Sequence, residues 1–296
     1  MSDERLLVGF DHHDDAAIIE LKHGECIISS TDFFLPVVND AYDFGRIAAA
    51  NAISDIYAMG GQPLMALSIL GWPVEKIPLE EAQRVLKGAS DICREAGISI
   101  AGGHSIDSTE PIFGLCVTGH VEKHQIKRNH TCEIGDYIYL TKPLGLGLLS
   151  NALKQDKLTD EGYALLLKYA TKLNTLGSDL GKMPSVTAMT DVTGFGLLGH
   201  LLEMLGPDKG AELLMDKIPV IEEAKHIASQ MIYPNITTSN YNFIKDKTTG
   251  LNGIEFLWLC DPQTSGGLLF TSKEVLTMQD VTCIGSINTS GQIALI

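Results

Sequence analysis

A mixed α/β fold in two domains is predicted from three features of the sequence. The chain has 296 residues, 45% of them hydrophobic, which is enough for about two domains with buried cores. Strand-like runs alternate with helical patterns along the first half. A polar stretch that holds most of the local positive charge, KHQIKRNHTCEIGD, separates them from a second set of strands and helices. We therefore predict domains of residues 1–124 and 125–296.

The first domain is predicted to contain strands broken by two helices. The first helix, residues 43–59, is rich in alanine. The second helix begins at Pro78, carries Glu80 and Glu81 in its first turn and ends at Gly97. The predicted strands are residues 6–10, 14–21, 25–34, 63–72, 99–107 and 111–122.

The second domain is predicted to be a sheet with helices. Its predicted helices are residues 144–154, 161–180, 195–205 and 221–231. The segment 233–253 is polar and is predicted to be one long loop, a kind of segment that is either functional or mobile. The predicted strands are residues 137–143, 186–192, 211–217, 266–272, 281–287 and 292–296.

The composition excludes several classes of protein. The chain has 37 Asp and Glu but only 22 Lys and Arg, which gives a net charge of −15. A nucleic-acid partner is therefore not expected. No run approaches the roughly 20 apolar residues of a membrane-spanning helix, and no export signal is visible. The six cysteines are scattered without a C-x-x-C pair, so neither a zinc site nor a disulfide framework is indicated. We expect a cytoplasmic protein with reduced thiols.

One carboxylate in the first helix points to a binding site. The helical repeat puts Asn51 and Asp55 one turn apart on a face otherwise built for packing. Four neighbouring alanines keep the helix slim, so that a strand or a ligand can approach closely. An ionised carboxylate on such a face must be paired, hydrogen-bonded or bound to a metal ion. The alternative is a solvent-exposed Asp55 with Asn51 as an incidental neighbour.

Further aspartates stand where strands begin or end. Asp14 and Asp15 precede the run AAII, Asp32 ends a strand, Asp107 follows GGHSI, and Asp191 precedes the turn VTGFG. Acidic groups alone would repel an anionic nucleotide, whereas Mg²⁺ binds one or two carboxylates together with substrate phosphates. The sequence therefore indicates a site for Mg²⁺ and a nucleotide. The alternative is that each Asp caps a turn.

Three glycine-rich segments could present backbone N–H groups to phosphate: GGHS at 102–105, GLG at 145–147 and TGFG at 193–196. None of them matches a P-loop or a Rossmann motif. The alternative is an ordinary turn, and we favour it for GLG. A structural role in a loop or turn is likewise the alternative for His12, His13 and His104.

Two long blocks, NAISDIYAMGG and TDVTGFGLLGH, stand among five further segments: DDAAII, STDFFLPVV, AGGHSIDSTEPIFGLCVTG, LTKPLGLG and CDPQTSGGLL. Through these segments, which occur in the same order from about residue 6 to the C-terminus, the chain resembles the selenophosphate synthetase (selenide, water dikinase) family. The two long blocks are specific to that family, which belongs to the aminoimidazole ribonucleotide synthetase superfamily of ATP-dependent enzymes.

The resemblance implies a two-domain subunit. Its N-terminal domains pair in a homodimer whose strands join into a barrel, and its C-terminal sheet is covered by helices. It implies Mg²⁺ and ATP as cofactor and phosphoryl donor, and selenide as acceptor, with selenophosphate, AMP and orthophosphate as products. The implied metal ligands are Asp15, Asp55 and Asp191. The implied nucleotide-binding residues are His12, His13, Asp14, Asp32, Asn51 and Asp55, with Gly103, His104 and Ser105 reaching from the partner subunit.

One departure from the family concerns a glycine-rich arm that precedes the DDAA segment and holds a reactive cysteine or selenocysteine and a lysine. The sequence begins at Met1, a few residues before the match, so we expect this arm to be absent and full dikinase activity to be affected. A truncation, or a start assigned downstream of a selenocysteine codon, would produce such a sequence.

Two other functions compete with a selenophosphate synthetase. A related superfamily kinase or amidotransfer-type synthetase would need different acceptor motifs, so GGHSID together with CDPQTSGG argues against it. A non-catalytic dimer that binds metal and nucleotide is the other alternative, and it would bind ATP without forming AMP.

Overall fold

The computed structural model describes residues 3–9 and 14–296. The chain forms two compact units. Unit 1 contains the described residues up to Ile126 together with Ala170–Lys182, and unit 2 contains Lys127–Tyr169 and Met183–Ile296. Each unit is built on a mixed sheet with helices, so the predicted α/β class is confirmed. The single boundary predicted after residue 124 does not account for residues 170–182, which belong to unit 1.

Unit 1 has a six-stranded sheet in the order β1-β2-β3-β6-β4-β5. Strands β4 and β5 pair in parallel, and the other neighbours pair antiparallel. The strands are β1 Leu6–Val8, β2 Ala17–Glu20, β3 Glu25–Phe34, β4 Gln62–Trp72, β5 Ile100–Asp107 and β6 Ile112–Glu122. The helices are α1 Ala41–Ala58, α2 Leu79–Glu95 and the short α5 Leu176–Gly181.

Helix α1 packs closely because its neighbours and its own residues are small. Its N-terminus is capped by Asp40, whose side chain accepts a hydrogen bond from the Asp43 N–H at 3.0 Å. A Cβ atom on Gly45 would lie 1.9 Å from a backbone oxygen of α2, and one on Gly119 would lie 2.4 Å from an Ile56 methyl group. Only glycine fits at these crossings. The predicted slim helix over 43–59 is therefore confirmed, with α1 shifted by one or two residues.

The sheet of unit 1 has one covered and one open face. Phe34 of β3 and Phe113 of β6 lie against Phe44 of α1, so α1 covers the inner face. Because side chains alternate along a strand, the neighbouring positions of β3 and β4 point away from α1. This outer face exposes four large apolar side chains, Phe33, Met65, Leu67 and Ile106.

Unit 2 has a seven-stranded sheet in the order β10-β13-β9-β12-β7-β11-β8. Its core lies between the sheet and α6, where residues such as Leu140, Leu198, Leu201 and Leu269 are buried together. The strands are β7 Tyr137–Leu140, β8 Val186–Asp191, β9 Gly210–Leu213, β10 Thr248–Thr249, β11 Leu268–Ser272, β12 Thr282–Asn288 and β13 Ile293–Leu295. The helices are α3 Leu146–Lys154, α4 Asp160–Ala170, α6 Gly196–Leu205, α7 Glu222–Ser229, α8 Asn235–Ile244 and α9 Phe256–Leu259.

The prediction of one long loop over 233–253 is wrong. The segment contains α8, a short 3₁₀ turn and β10. The helix was not predicted because the segment is rich in threonine and asparagine, which are weak helix formers. Burial of Thr237 and two hydrogen bonds from the Asn240 amide, to the Gly194 and Cys260 carbonyl oxygens at 2.8 and 3.0 Å, hold α8 in place.

The prediction of one helix over 161–180 is also wrong, because the helix is interrupted after Ala170. The Asn174 amide donates to the Ser54 hydroxyl of α1 at 2.8 Å. A Cβ atom on Gly177 would lie 2.2 Å from the Tyr57 carbonyl oxygen. Contacts with α1 thus decide where the chain breaks, and a sequence period cannot reveal them.

Within the described parts of the chain, no helix is both long and apolar enough to cross a bilayer.

Candidate functional site

Two polar pairs join β3 to α1 on the inner face of unit 1. Ser30 and Asp32 share a face of β3 because they are two residues apart, and Asn51 and Asp55 share a face of α1 because they are four apart. The Asn51 amide donates to Asp32 Oδ2 at 2.7 Å. The Ser30 hydroxyl donates to Asp55 Oδ2. We call these the β3–α1 polar pairs.

Both helix members of the pairs are buried. Asn51 is 7% exposed and Asp55 is 8% exposed. The alternative of a solvent-exposed Asp55 is therefore excluded. Transfer of a carboxylate from water to such a place is costly unless a proton, a hydrogen bond or a cation compensates.

Burial raises the pKa of the Asp32 carboxyl, and the hydrogen bond from Asn51 opposes that rise only in part. Asp32 therefore binds a proton more readily than a solvated aspartate does. A cation placed beside Asp32 would stabilise its ionised form, because opposite charges attract.

Asp14 and Asp15 lie at the end of β2 that approaches these pairs. In the antiparallel register Ala17 lies opposite Ser29, and Asp14 and Asp15 come just before Ala17. They therefore lie beside the stretch of β3 that leads to Asp32. The fold thus brings the backbone of this predicted acidic segment next to β3.

The donor set fits a hard divalent cation. In residues 3–9 and 14–296 no group of three or more His, Cys, Asp and Glu side chains is arranged to hold a metal ion by itself. Mg²⁺ does not need such a group, because it commonly binds one or two carboxylates and takes its other ligands from phosphates and water. The oxygens of Asp15 and Asp55 match this preference. The predicted binding residues His12 and His13 lie outside the described residues.

The predicted residues Gly103, His104 and Ser105 lie on β5, the edge strand of the sheet. A Cβ atom on Gly103 would lie 2.2 Å from the Ser68 carbonyl oxygen, so this position requires glycine. Two strands, β6 and β4, separate β5 from β3, which corresponds to about 14 Å. Within one chain the fold therefore does not bring these three residues to the β3–α1 polar pairs.

Asp191 belongs to unit 2, where it is the last residue of β8 and is 1% exposed. It pairs with Leu268 across the ladder to β11. The turn that follows is fixed by backbone hydrogen bonds, from Val192 N–H to the Gly267 oxygen and from Gln263 N–H to the Thr193 oxygen, each 2.9 Å long. Asp191 is thus a buried carboxylate at a strand end that leads into a hydrogen-bonded turn.

The TGFG turn is held from the side of α6 as well. The Thr193 N–H donates to His200 Nε2 at 3.1 Å. Burial lowers the pKa of His200 to about 4, so the ring is neutral at pH 7 and can accept this bond. His200 therefore supports the turn as a structural residue.

Two residues that we did not predict, Asp261 and Gln263, cap the N-terminus of α3. Gln263 Oε1 accepts the N–H groups of Gly145 and Leu146 at 3.1 and 3.0 Å. Asp261 Oδ2 accepts those of Gly147 and Leu148 at 2.9 and 3.2 Å. The N–H groups of GLG are thus occupied by protein, which confirms the structural interpretation of this segment.

Asp261 is fully buried, and burial raises its pKa to about 8 against the pull of its hydrogen bonds. Its Oδ2 also accepts a hydrogen bond from the Gln263 amide at 2.8 Å. Its Oδ1 has no hydrogen-bond partner in the described part of the chain. Burial thus favours the protonated form of Asp261 more than solvent favours that of an exposed aspartate.

Two family models match the chain. The model described as AIR synthase related protein, N-terminal domain, matches residues 13–121. The model described as AIR synthase related protein, C-terminal domain, matches residues 133–245. Together they cover most of both units.

One curated relative matches nearly the whole chain at high sequence identity. Over 287 residues the chain is 52% identical to the selenide, water dikinase of Photobacterium profundum, a match that covers 96% of this chain and 83% of that protein.

Solved structures show the same fold at low identity. The thiamine monophosphate kinase of Aquifex aeolicus has a TM-score of 0.74 and 20% identity, over 95% of this chain and 90% of that one. Hydrogenase maturation protein HypE in complex with ATP has a TM-score of 0.68 and 18% identity, over 96% of this chain and 84% of that one.

Proposed function

The chain belongs to the selenide, water dikinase family, and from this premise we propose that it transfers a phosphoryl group from ATP to selenide. The products would be selenophosphate, AMP and orthophosphate. The observation that carries the proposal in this structure is the burial of Asp55 beside Asp32 on the β3–α1 polar pairs. Two acidic groups on an inner face suit a site that binds its nucleotide together with a cation.

The proposed cofactor is Mg²⁺. Bound Mg²⁺ would offset the charges of the triphosphate and of the carboxylates that face it. Charge neutralisation by a cation is important here because a chain with a net charge of −15 would otherwise repel ATP.

Asp55 presents a carboxylate oxygen from α1, and Asn51 keeps Asp32 oriented through the 2.7 Å hydrogen bond between them. Phosphoryl transfer needs mainly positioning and neutralisation of charge, so no nucleophile is required among these residues. The proposed metal ligands are Asp15, Asp55 and Asp191, and the proposed nucleotide-binding residues of the described chain are Asp14, Asp32, Asn51, Asp55, Gly103, His104 and Ser105.

We propose a homodimer formed through unit 1. The apolar outer face would be buried by a second copy, and β5 offers that copy an edge strand that is exposed from Ala101 to Asp107. A partner subunit could then supply Gly103, His104 and Ser105, which one chain does not bring to its own polar pairs.

A charge on the outer face should therefore break the dimer. We expect the wild-type protein to have twice its chain mass of 32.0 kDa by sedimentation velocity. Replacement of Leu67 by Asp should give a monomer, because a buried unpaired carboxylate costs several kcal/mol. Leu79→Asp makes the same change at an exposed position of α2 and should leave the dimer intact. A monomeric wild-type protein, or a dimeric Leu67→Asp variant, would contradict this arrangement.

Turnover tests the proposed activity. The protein is incubated with Mg²⁺, ATP and selenide, and AMP is followed by chromatography while selenophosphate is followed by ³¹P NMR. We expect AMP to form only when selenide is present. ATP binding without AMP formation would instead favour the non-catalytic metal-nucleotide-binding dimer.

We further propose a reducing compartment such as the cytoplasm. All six cysteines are free thiols, and thiols persist unpaired where glutathione and thioredoxin keep them reduced.

A further inference from the structure

Ser30 donates its hydroxyl hydrogen bond to Oδ2 of Asp55 across the β3–α1 interface. The contact joins residues 25 positions apart, so it depends on the packing of α1 on the sheet. Ser30 is partly buried, and its side chain shares the inner face of β3 with Asp32. We propose that Ser30 is a positioning residue that fixes the orientation of the Asp55 carboxylate for Mg²⁺ binding. This inference rests on the proposed function.

The reason lies in the geometry that Mg²⁺ demands. It takes near-octahedral ligands at about 2.0–2.1 Å and tolerates little deviation, so a carboxylate that can rotate loses affinity for it. A hydroxyl bonded to a carboxylate oxygen restricts rotation of the group and so holds the carboxylate in one orientation toward a cation. Partners of this kind typically contribute about 10–100-fold to metal affinity.

A purely structural role is the competing explanation. In that case the hydroxyl would only satisfy a buried carboxylate, and its loss would lower folding stability whether or not a cation is present. The two roles differ in one observable, the Mg²⁺ concentration that gives half-maximal nucleotide binding.

The chain offers close controls for this test. Threonine at position 30 keeps the hydroxyl, whereas valine has nearly the same shape and lacks it. Ser29 is the same residue type on the same strand, but it is exposed and points to the opposite face. Ser29→Ala therefore removes a hydroxyl without touching Asp55.

The experiment titrates Mg²⁺ into full-length protein with a fluorescent ATP analogue, and records thermal unfolding without Mg²⁺ for each variant. We expect Ser30→Ala and Ser30→Val to need about tenfold more Mg²⁺ than the wild type for half-maximal binding. Ser30→Thr and Ser29→Ala should match the wild type, and Mg²⁺-free nucleotide binding should not change.

Equal Mg²⁺ requirements for Ser30→Thr and Ser30→Val would overturn the inference. So would unfolding of both the Ala and Val variants while the Thr variant stays folded, since that result assigns Ser30 to folding. If the wild type itself shows no Mg²⁺-dependent nucleotide binding, the proposed function fails instead, and the two failures are thereby distinguished.

Discussion

Replacement of Asp55 by Asn is expected to weaken Mg²⁺-dependent nucleotide binding by at least about 100-fold, since even residues that only support a metal ligand contribute about 10–100-fold. The change conserves size and shape, and the amide oxygen of the substituted side chain could still accept the Ser30 hydrogen bond. What is lost is the negative charge that attracts a divalent cation. Isothermal titration with Mg²⁺ and an ATP analogue measures the effect.

The same substitution should not destabilise the protein without ligand. Asp55 is buried, and removal of a buried charge removes a desolvation cost. We therefore expect an unchanged or higher thermal midpoint together with weaker binding. Asp179→Asn, which removes an equally charged but exposed group of unit 1, is the control and should bind as the wild type does. Equal affinities of the Asp55 and Asp179 variants would exclude Asp55 as a ligand.

Replacement of Asp261 by Ala is expected to lower the free energy of unfolding of unit 2 by about 2–4 kcal/mol, because buried donors that lose their acceptor incur the full cost of desolvation. The acceptor lost is Oδ2, which binds the N–H groups of Gly147 and Leu148 and the Gln263 amide. Urea unfolding followed by tryptophan fluorescence, with exposed Asp216→Asn as control, measures the loss.

Asp261→Asn should behave differently, because an amide resembles the protonated acid. The native pKa of about 8 lies above the ordinary value of 3.8, so between these values the folded state retains a proton that the unfolded state has released. Wild-type stability should therefore fall as pH rises from about 4 to about 8, by at most about 1.4 kcal/mol per pH unit from this group.

The Asn variant removes this contribution. Its stability relative to the wild type should rise across the same window and level off above about pH 8. Urea unfolding at pH 5, 6.5 and 8 provides the comparison. Parallel pH profiles for the two proteins would show that Asp261 is already ionised in the folded state.

The sequence predicted the parts of unit 1 that depend on local patterns. The period of α1 placed Asn51 and Asp55 on one buried face, and Asp32 was predicted on a strand that proved to lie against α1. The prediction that this strand ends at Asp32 is wrong, because β3 continues to Phe34. Both placements follow from regular geometry, which a sequence displays directly.

Residues whose role depends on long-range contacts escaped prediction. Asp261 lies 114 positions from Gly147 in the chain, so nothing local marks it as the cap of α3. The segment around Asn174 ends a helical pattern because it docks on α1, and α8 forms despite weak propensity because Asn240 is held from both sides. Tertiary contacts overrode local preference in each case.

Ser30 belongs to the same class. No local pattern marks Ser30, because its role depends on its hydrogen-bond partner on α1. The resemblance to a known family named the aspartates, whereas the neighbours that orient them became visible only in three dimensions.

A crystal structure of the protein with Mg²⁺ and a non-hydrolysable ATP analogue would show whether Asp55 binds the cation. We expect a magnesium ion about 2.1 Å from a carboxylate oxygen of Asp55, with the Ser30 hydroxyl still hydrogen-bonded to the same carboxylate. A bound nucleotide with Asp55 buried and no cation on its carboxylate would contradict this expectation.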